Sequence, residues 1–222
     1  MPNESIWVTK GMPTITVLDY GRGNLKSVSR AVEYCGAHCL VTSDPNEVEN
    51  ASHIILPGVG AFGDAMSQLR ERGLIGPIQA YCLKNRPFLG ICLGMQLMFN
   101  ESEEFGLHFG LGLIAGRVEK IPETAADGSF HCVPHIGWNT LCEGRADWAG
   151  TILEGVPMNG SVYFVHSYAA VPESAMHILA YTDYHGRRIT AAVRSGRLFG
   201  CQFHPEKSGV IGLNIIRNFC SL

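Results

Sequence analysis

The pattern of apolar and polar positions changes character about halfway along the chain. In the first half, short β-rich runs alternate with segments of helical period. "TITVLD" (14–19) leads through the turn "YGRGN" into a helix over 25–35. "HCLVT" (38–42) and "HIILP" (53–57) read as strands, and 62–72 and 74–84 as helices. "PFLGI" (87–91) is a further strand running straight into Cys92, with a helix expected from Leu93 to about Asn100. Strands that are apolar throughout are buried on both faces, and their alternation with helices predicts a parallel sheet covered on each side. In the second half "SVYFVHSY" (161–168), "HILAYTDY" (177–184), "RRITAAVR" (187–194) and "GRLFGCQF" (196–203) follow one another with short turns. They predict antiparallel strands added to the same sheet, closed by a helix from about Val210 to Cys220. The expected fold is α/β: an open, mostly parallel sheet with helices on both faces and an antiparallel extension in the C-terminal half. No repeat or linker interrupts it, so one domain is expected over 14–222, preceded by an N-terminal extension, 1–13.

Composition narrows the function classes. A chain of 222 residues, 46% hydrophobic and 17% charged, can bury a large core. A net charge of −3 without a basic block argues against a nucleic-acid surface. The start "MPNESIWVTKGMP" has no apolar core and does not read as a signal peptide. No run reaches the roughly 18 apolar residues of a membrane helix, so the expectation is a cytoplasmic protein with no membrane partner. The eight cysteines include no C-x-x-C pair, and they read as reduced thiols. No His or Cys spacing resembles a metal site, so no metal or cofactor is expected.

Cys92 stands apart from the other cysteines. In "GICLG" it lies between Gly90 and Gly94, at a strand-to-helix junction. That placement raises a nucleophile on a tight turn, with glycines removing side chains that would obstruct the turn and an incoming substrate. Helix N–H groups favour the thiolate, and the N–H of Leu93 can donate to an oxyanion. "CQFHPEKSG" (201–209) places His204 and Glu206 two apart after the last strand. A cysteine nucleophile needs a base and a carboxylate to orient it, and this pair supplies both. "LPGVGAFGDAM" (56–66) is a glycine loop after a strand, and the N–H of Val59 within it is a second candidate oxyanion donor. "GRGNLKS" (21–27) lacks the glycine spacing of a phosphate-binding loop and reads as a tight β–α turn.

"GICLGMQ" with a distant "HPE" resembles the class I, or triad, glutamine amidotransferases, which hydrolyse the amide of glutamine. "DYGRGNLKSV" (19–28), "LPGVGAF" (56–62), "PHIGWN" (134–139) and "YFVHSY" (163–168) narrow the resemblance to the glutaminase subunits of imidazole glycerol phosphate synthase. Several subunits of other synthases carry a "GVCLGHQ" type of elbow, whereas Met95 stands at the corresponding place here. The resemblance implies a flavodoxin-like sheet, with Cys92 as nucleophile, His204 as base and then acid, and Glu206 as its orienting carboxylate. It further implies oxyanion contacts from Val59 and Leu93, and glutamine contacts from Gly58, Gln96, Glu104, Ser167 and Tyr168.

A chain equipped to release ammonia, with no room left to bind an acceptor, implies a partner that receives it. In the resembled family that partner is a (β/α)8-barrel cyclase, joined as a heterodimer. Asn24, Trp138 and Lys207 are the expected interface residues around the Cys92 mouth. The resemblance also implies that the backbone around Val59 rotates into its oxyanion-binding position when the cyclase holds its nucleotide.

Overall fold

The computed structural model describes residues 13–145 and 147–222. Apart from Pro13, the expected N-terminal extension lies outside the described residues. The first half follows the predicted alternation: β1 (Thr14–Leu18), α1 (Leu25–Tyr34), β2 (His38–Thr42), α2 (Pro45–Asn50), β3 (His53–Gly58), α3 (Phe62–Glu71), α4 (Ile75–Leu83) and β4 (Phe88–Cys92). The pattern does not foresee α2, which is too short to show a period. Its start is nevertheless signalled, because Asp44 accepts from the Asn46 N–H at 2.8 Å and Pro45 opens the helix.

Beyond β4 come α5 (Leu93–Gln96), β5 (Phe99–Ser102), β6 (His108–Phe109), β7 (Ile114–Lys120) and β8 (His135–Thr140). They are followed by β9 (Cys142–Glu143), β10 (Ser161–His166), β11 (Tyr168–Pro172), β12 (Ile178–Tyr184), β13 (Arg187–Ser195), β14 (Leu198–Cys201) and α6 (Gly209–Cys220). The main sheet has the order β2-β1-β3-β4-β14-β13-β12-β9. Its first five strands are parallel, and β13, β12 and β9 extend it antiparallel. This is the expected mixed α/β sheet.

Side-chain alternation sends successive strand residues into different cores. Ile55, Leu89 and Ile91 face one core with Val28 and Val32 of α1 and Ile215 and Phe219 of α6. Ile54, Leu56 and Phe88 face the other with Met66 and Leu69 of α3 and Ile78 and Tyr81 of α4. Every residue of β3 and β4 is buried, which is why their sequences are apolar without alternation.

Two expectations are corrected. The helix after Cys92 ends at Gln96 rather than near Asn100. Leu97, Met98 and Phe99 are fully buried, and Phe99 starts a strand that pairs with β7. Tertiary pairing therefore overrides local helical preference. The expected strand 161–168 divides at Ser167: β10 pairs with β8 in a separate two-stranded sheet, whereas β11 pairs with β7 in a sheet of order β11-β7-β5-β6. The change of sheet between His166 and Tyr168 turns Ser167 out of both ladders. Strands β5 to β9 and β11 are unforeseen, being short or broken by glycines such as Gly116 and Gly137.

Candidate active site

Because β1, β3, β4 and β14 run parallel, their C-terminal ends share one edge of the sheet, where an open parallel sheet binds its ligands. Gly58 at the end of β3 stands opposite Cys92 at the end of β4. Cys92 has φ 54° and ψ −111°, a left-handed conformation that a residue with a Cβ rarely adopts. Its neighbours explain how the turn is held. A Cβ on Gly90 would lie 2.6 Å from the Gly94 carbonyl oxygen, and one on Gly94 would lie 1.8 Å from the Leu56 carbonyl oxygen. The two glycines let α5 settle on β3 and β4. The atoms they make room for belong to the protein, so clearance for a substrate is not their main service.

His204 follows β14 and is fixed from two sides. Its N–H donates to the Tyr163 carbonyl at 2.9 Å. Ser208 Oγ donates to the His204 carbonyl at 2.6 Å and accepts from the Tyr163 N–H at 3.0 Å. Gly212 lets α6 approach from below, since a Cβ there would meet the Pro205 oxygen at 1.9 Å. His204 Nδ1 lies 2.8 Å from Glu206 Oε1, and the side chains are only 3% and 1% exposed. A carboxylate accepts, so Nδ1 carries a proton, and Nε2 is the nitrogen left to exchange a proton with the thiol. Nε2 is buried and closes no hydrogen bond. Burial alone drives the imidazole pKa down, but Cys92 and Glu206 outweigh it and carry it up to about 9. The thiol thus lies near enough to raise the imidazole, first by side-chain hydrogen bonding and then by charge. The contact is nevertheless too loose for Nε2 to close a well-formed bond, a common geometry before substrate arrives.

A cavity of about 340 Å³ opens at this edge, within the range of a small-molecule site. Its lining includes Val59, Cys92, Leu93, Gln96, Glu104, Ser167, Tyr168 and His204, which the sequence singles out, and also Val165 and His166, which it does not. Glu206 stands behind His204. Gly58, expected to contact glutamine, is not among the lining residues; it sits behind them, where a Cβ on it would meet Tyr20 Oη at 2.6 Å and the Gly94 nitrogen at 2.9 Å. Glu104 accepts from the Phe62 N–H at 2.6 Å through Oε2, leaving Oε1 for another donor. That contact places a half-buried carboxylate at the start of α3, where a negative charge is favoured. The short α5 contributes less dipole than the longer helix expected, so the local N–H of Leu93 matters more than the helix behind it.

Asn24, Trp138 and Lys207 lie outside the cavity. Asn24 caps α1, accepting from the Ser27 N–H at 3.4 Å. Lys207 is exposed in the single helical turn after His204. Trp138 is 59% exposed and meets Tyr163 edge-on, at 6.2 Å between ring centroids. Ile136, two residues earlier on β8, is equally exposed, which makes an apolar face that the sequence pattern does not foresee.

Sequence reasoning also misses Gln202. It is fully buried, and its Nε2 donates to Cys92 Sγ at 3.8 Å. Gln96 Nε2 donates to Gln202 Oε1 at 3.0 Å and to the Tyr168 carbonyl at 2.9 Å. Gln202 lies two residues before His204 in an extended segment, and that spacing, which puts both on one side, is the signal the sequence offers. Among the described residues, no cluster of His, Cys, Asp or Glu is arranged to hold a metal ion, and no helix is long and apolar enough to cross a membrane.

The family model described as glutamine amidotransferase class-I matches residues 16–221. A Legionella pneumophila (strain Lens) protein named imidazole glycerol phosphate synthase subunit HisH 1 is 50% identical over 214 residues, spanning 95% of this chain and all of the relative. A Syntrophotalea carbinolica protein named imidazole glycerol phosphate synthase subunit HisH is 48% identical over 92% of this chain and 98% of its own. Among solved structures, PurLQS from Thermotoga maritima superposes with a TM-score of 0.69 at 21% identity, covering 95% of this chain and 98% of that one. A glutamine amidotransferase from Thermotoga maritima gives 0.57 at 17%, over 89% and 77%. At these identities the structural likeness speaks for the fold alone.

Proposed function

The chain belongs to the glutamine amidotransferase class-I family, and within it we propose that it is the glutamine-hydrolysing subunit of imidazole glycerol phosphate synthase, acting in histidine biosynthesis. The observation that carries this reading is the buried Cys92–His204–Glu206 set on a single sheet edge, with His204 Nε2 unpartnered beside the thiol.

The chemistry follows from the atoms present. Glu206 holds the His204 proton on Nδ1, so Nε2 takes the proton of the Cys92 thiol. The sulfur attacks the amide carbon of glutamine, and the N–H groups of Leu93 and Val59 receive the oxygen's developing charge. His204 returns the proton to the leaving nitrogen as the C–N bond breaks, and ammonia departs. A water molecule then attacks the thioester, losing its proton to Nε2, and glutamate leaves as the proton passes back to sulfur. The free oxygen of Glu104 suits the substrate's α-ammonium, and the Ser167–Tyr168 backbone supplies further polar contacts.

Ammonia released into neutral water becomes largely ammonium and loses its nucleophilicity. A cyclase subunit seated over the cavity mouth would take it directly. The exposed Trp138 and Ile136, next to a strand whose Tyr163 backbone holds His204, support docking there; Lys207 and Asn24 flank the same edge. In such a pairing the nucleotide-loaded cyclase would rotate the Val59 peptide toward the oxyanion. The cytoplasm is the inferred location, as for other soluble biosynthetic enzymes.

The deciding experiment measures glutamate release from glutamine by the purified chain, with and without the cyclase carrying its nucleotide, using Cys92→Ala as blank. Low activity alone and strong activation by the loaded cyclase are expected. Equal activity in both cases would keep the glutaminase and remove this partner.

A further inference from the structure

Beside the cavity lies a group of histidines that the hydrolysis does not use. His166 is buried at the end of β10 and stands opposite His135 of β8 in the ladder. His166 Nδ1 is 2.8 Å from the Tyr168 carbonyl oxygen. A carbonyl only accepts, so Nδ1 carries the proton and Nε2 has a lone pair. That lone pair faces His135 Nδ1 at 3.1 Å, which must therefore be the N–H. His135 Nε2 is then the acceptor, and Asn139 Nδ2 donates to it at 3.3 Å and to the Asp183 carbonyl at 2.7 Å. Asn139 Oδ1 accepts from the Thr140 N–H at 2.8 Å. Each atom's role is thus fixed from one end of the chain of bonds to the other.

We propose that His135 and His166 are positioning residues for glutamine: a neutral relay, anchored by Asn139, that aims the Tyr168 carbonyl and so fixes the Ser167–Tyr168 wall of the cavity. The identification of that wall as a glutamine contact rests on the function proposed above. The β11–β7 pairing holds this segment from one side, with Tyr168 opposite Lys120 and the Ser167 carbonyl accepting from the Ile121 N–H at 2.8 Å; the relay holds the Tyr168 carbonyl from the other. That carbonyl accepts from both Gln96 and His166, which occupies both lone pairs. An added proton would break the relay: on His166 Nε2 it would face the His135 Nδ1–H, and on His135 Nε2 it would face the Asn139 amide N–H. Burial works against that state, holding His166 down at about 3 and His135 at about 4. His135 is also clamped between rings, 4.7 Å from Phe164 and 4.1 Å from Tyr184.

The test uses the full chain and two variants. Asparagine at 135 puts an amide N–H near the place of the imidazole Nδ1–H, whereas leucine does not. His135→Leu is expected to raise KM for glutamine about tenfold with kcat held within about threefold, the pattern of lost substrate positioning. His135→Asn should restore most of the loss, and iodoacetamide should alkylate Cys92 at the wild-type rate in both. Nitrogen-15 NMR of labelled histidines should show His135 and His166 neutral, protonated on Nδ1, from about pH 5.5 to 8. An unchanged KM in a folded His135→Leu, equal damage in both variants, or an Nε2–H tautomer of His166 would each overturn the relay. Absence of glutamine turnover in the wild-type protein and its cyclase complex would instead remove the function proposed above, while the tautomers still judge the relay by themselves.

Discussion

Gly94 and Leu56 meet backbone to backbone: a methyl on Gly94 would stand 1.8 Å from the Leu56 carbonyl oxygen. The contact fixes α5 against β3, and so fixes the left-handed Cys92 between them. Gly94→Ala has no flexible neighbour to displace. Overpacking of this kind costs about 1–3 kcal/mol, and because the strain falls on the elbow, activity should fall further than stability. We expect a lowered denaturation midpoint and glutaminase activity reduced at least about 100-fold, which corresponds to about 2.7 kcal/mol of barrier. A folded Gly94→Ala with near-normal turnover would show that the elbow tolerates the shift.

Glu206→Gln keeps the shape at the end of the relay from His204 but removes its charge. Loss of an orienting carboxylate in such a triad costs up to about 10⁴-fold in kcat. The expected result is a kcat lower by two to four orders of magnitude, with KM for glutamine nearly unchanged, read by steady-state glutamate release.

The pH dependence has a definite sign. His204 is raised in the folded protein, from an ordinary 6.5 to about 9, so its contribution to stability is fully present below about pH 6.5 and is lost as pH climbs through 9. In Cys92→Ala one of the two raising partners is gone, and the His204 pKa should drop. Histidine NMR titration of both proteins checks this directly; an unchanged midpoint in Cys92→Ala would leave Glu206 as the whole cause.

Glu104→Gln separates binding from chemistry. The amide can still accept from the Phe62 N–H, but it cannot offer a charge to an α-ammonium. KM for glutamine should rise about 10- to 100-fold, the scale of a charge-assisted contact, with little change in kcat.

The glycines of the oxyanion loop are not equivalent probes of a backbone switch. Gly58→Ala would collide with Tyr20 and Gly94 and damage the elbow directly. Gly60, at φ 99°, is the position where an alanine acts on loop conformation. Gly60→Ala should alter the degree of activation by the loaded cyclase while leaving the rate of Cys92 alkylation within about twofold, since the elbow itself is untouched.

What could be read from the sequence follows from the range of the forces involved. Strands β3 and β4 were legible because every residue of each is buried and the composition records that locally; the parallel pairing of β14 with β4 was not, because 196–203 reads like the antiparallel strands before it. Cys92, His204 and Glu206 were legible because turn chemistry and close spacing mark them within a few residues. The division of 161–168 was not, because His166 and Tyr168 differ only in which distant strand, β8 or β7, accepts them. Gln202 was hidden for the same reason: its partners Cys92 and Gln96 lie more than 100 residues away. The helix after Cys92 was overextended because its apolar residues satisfy a helical and a buried-strand pattern equally.

The placement of β14 between β4 and β13 has a consequence for how the protein comes into being. A polypeptide emerging from the ribosome completes β1 to β4 and displays Cys92 long before residues 198–206 exist. During that interval β4 is an open edge and the thiol has no base. Glutamine therefore cannot be consumed by an unfinished or truncated product, and the arrival of β14 seals the edge and switches on the chemistry in a single pairing event.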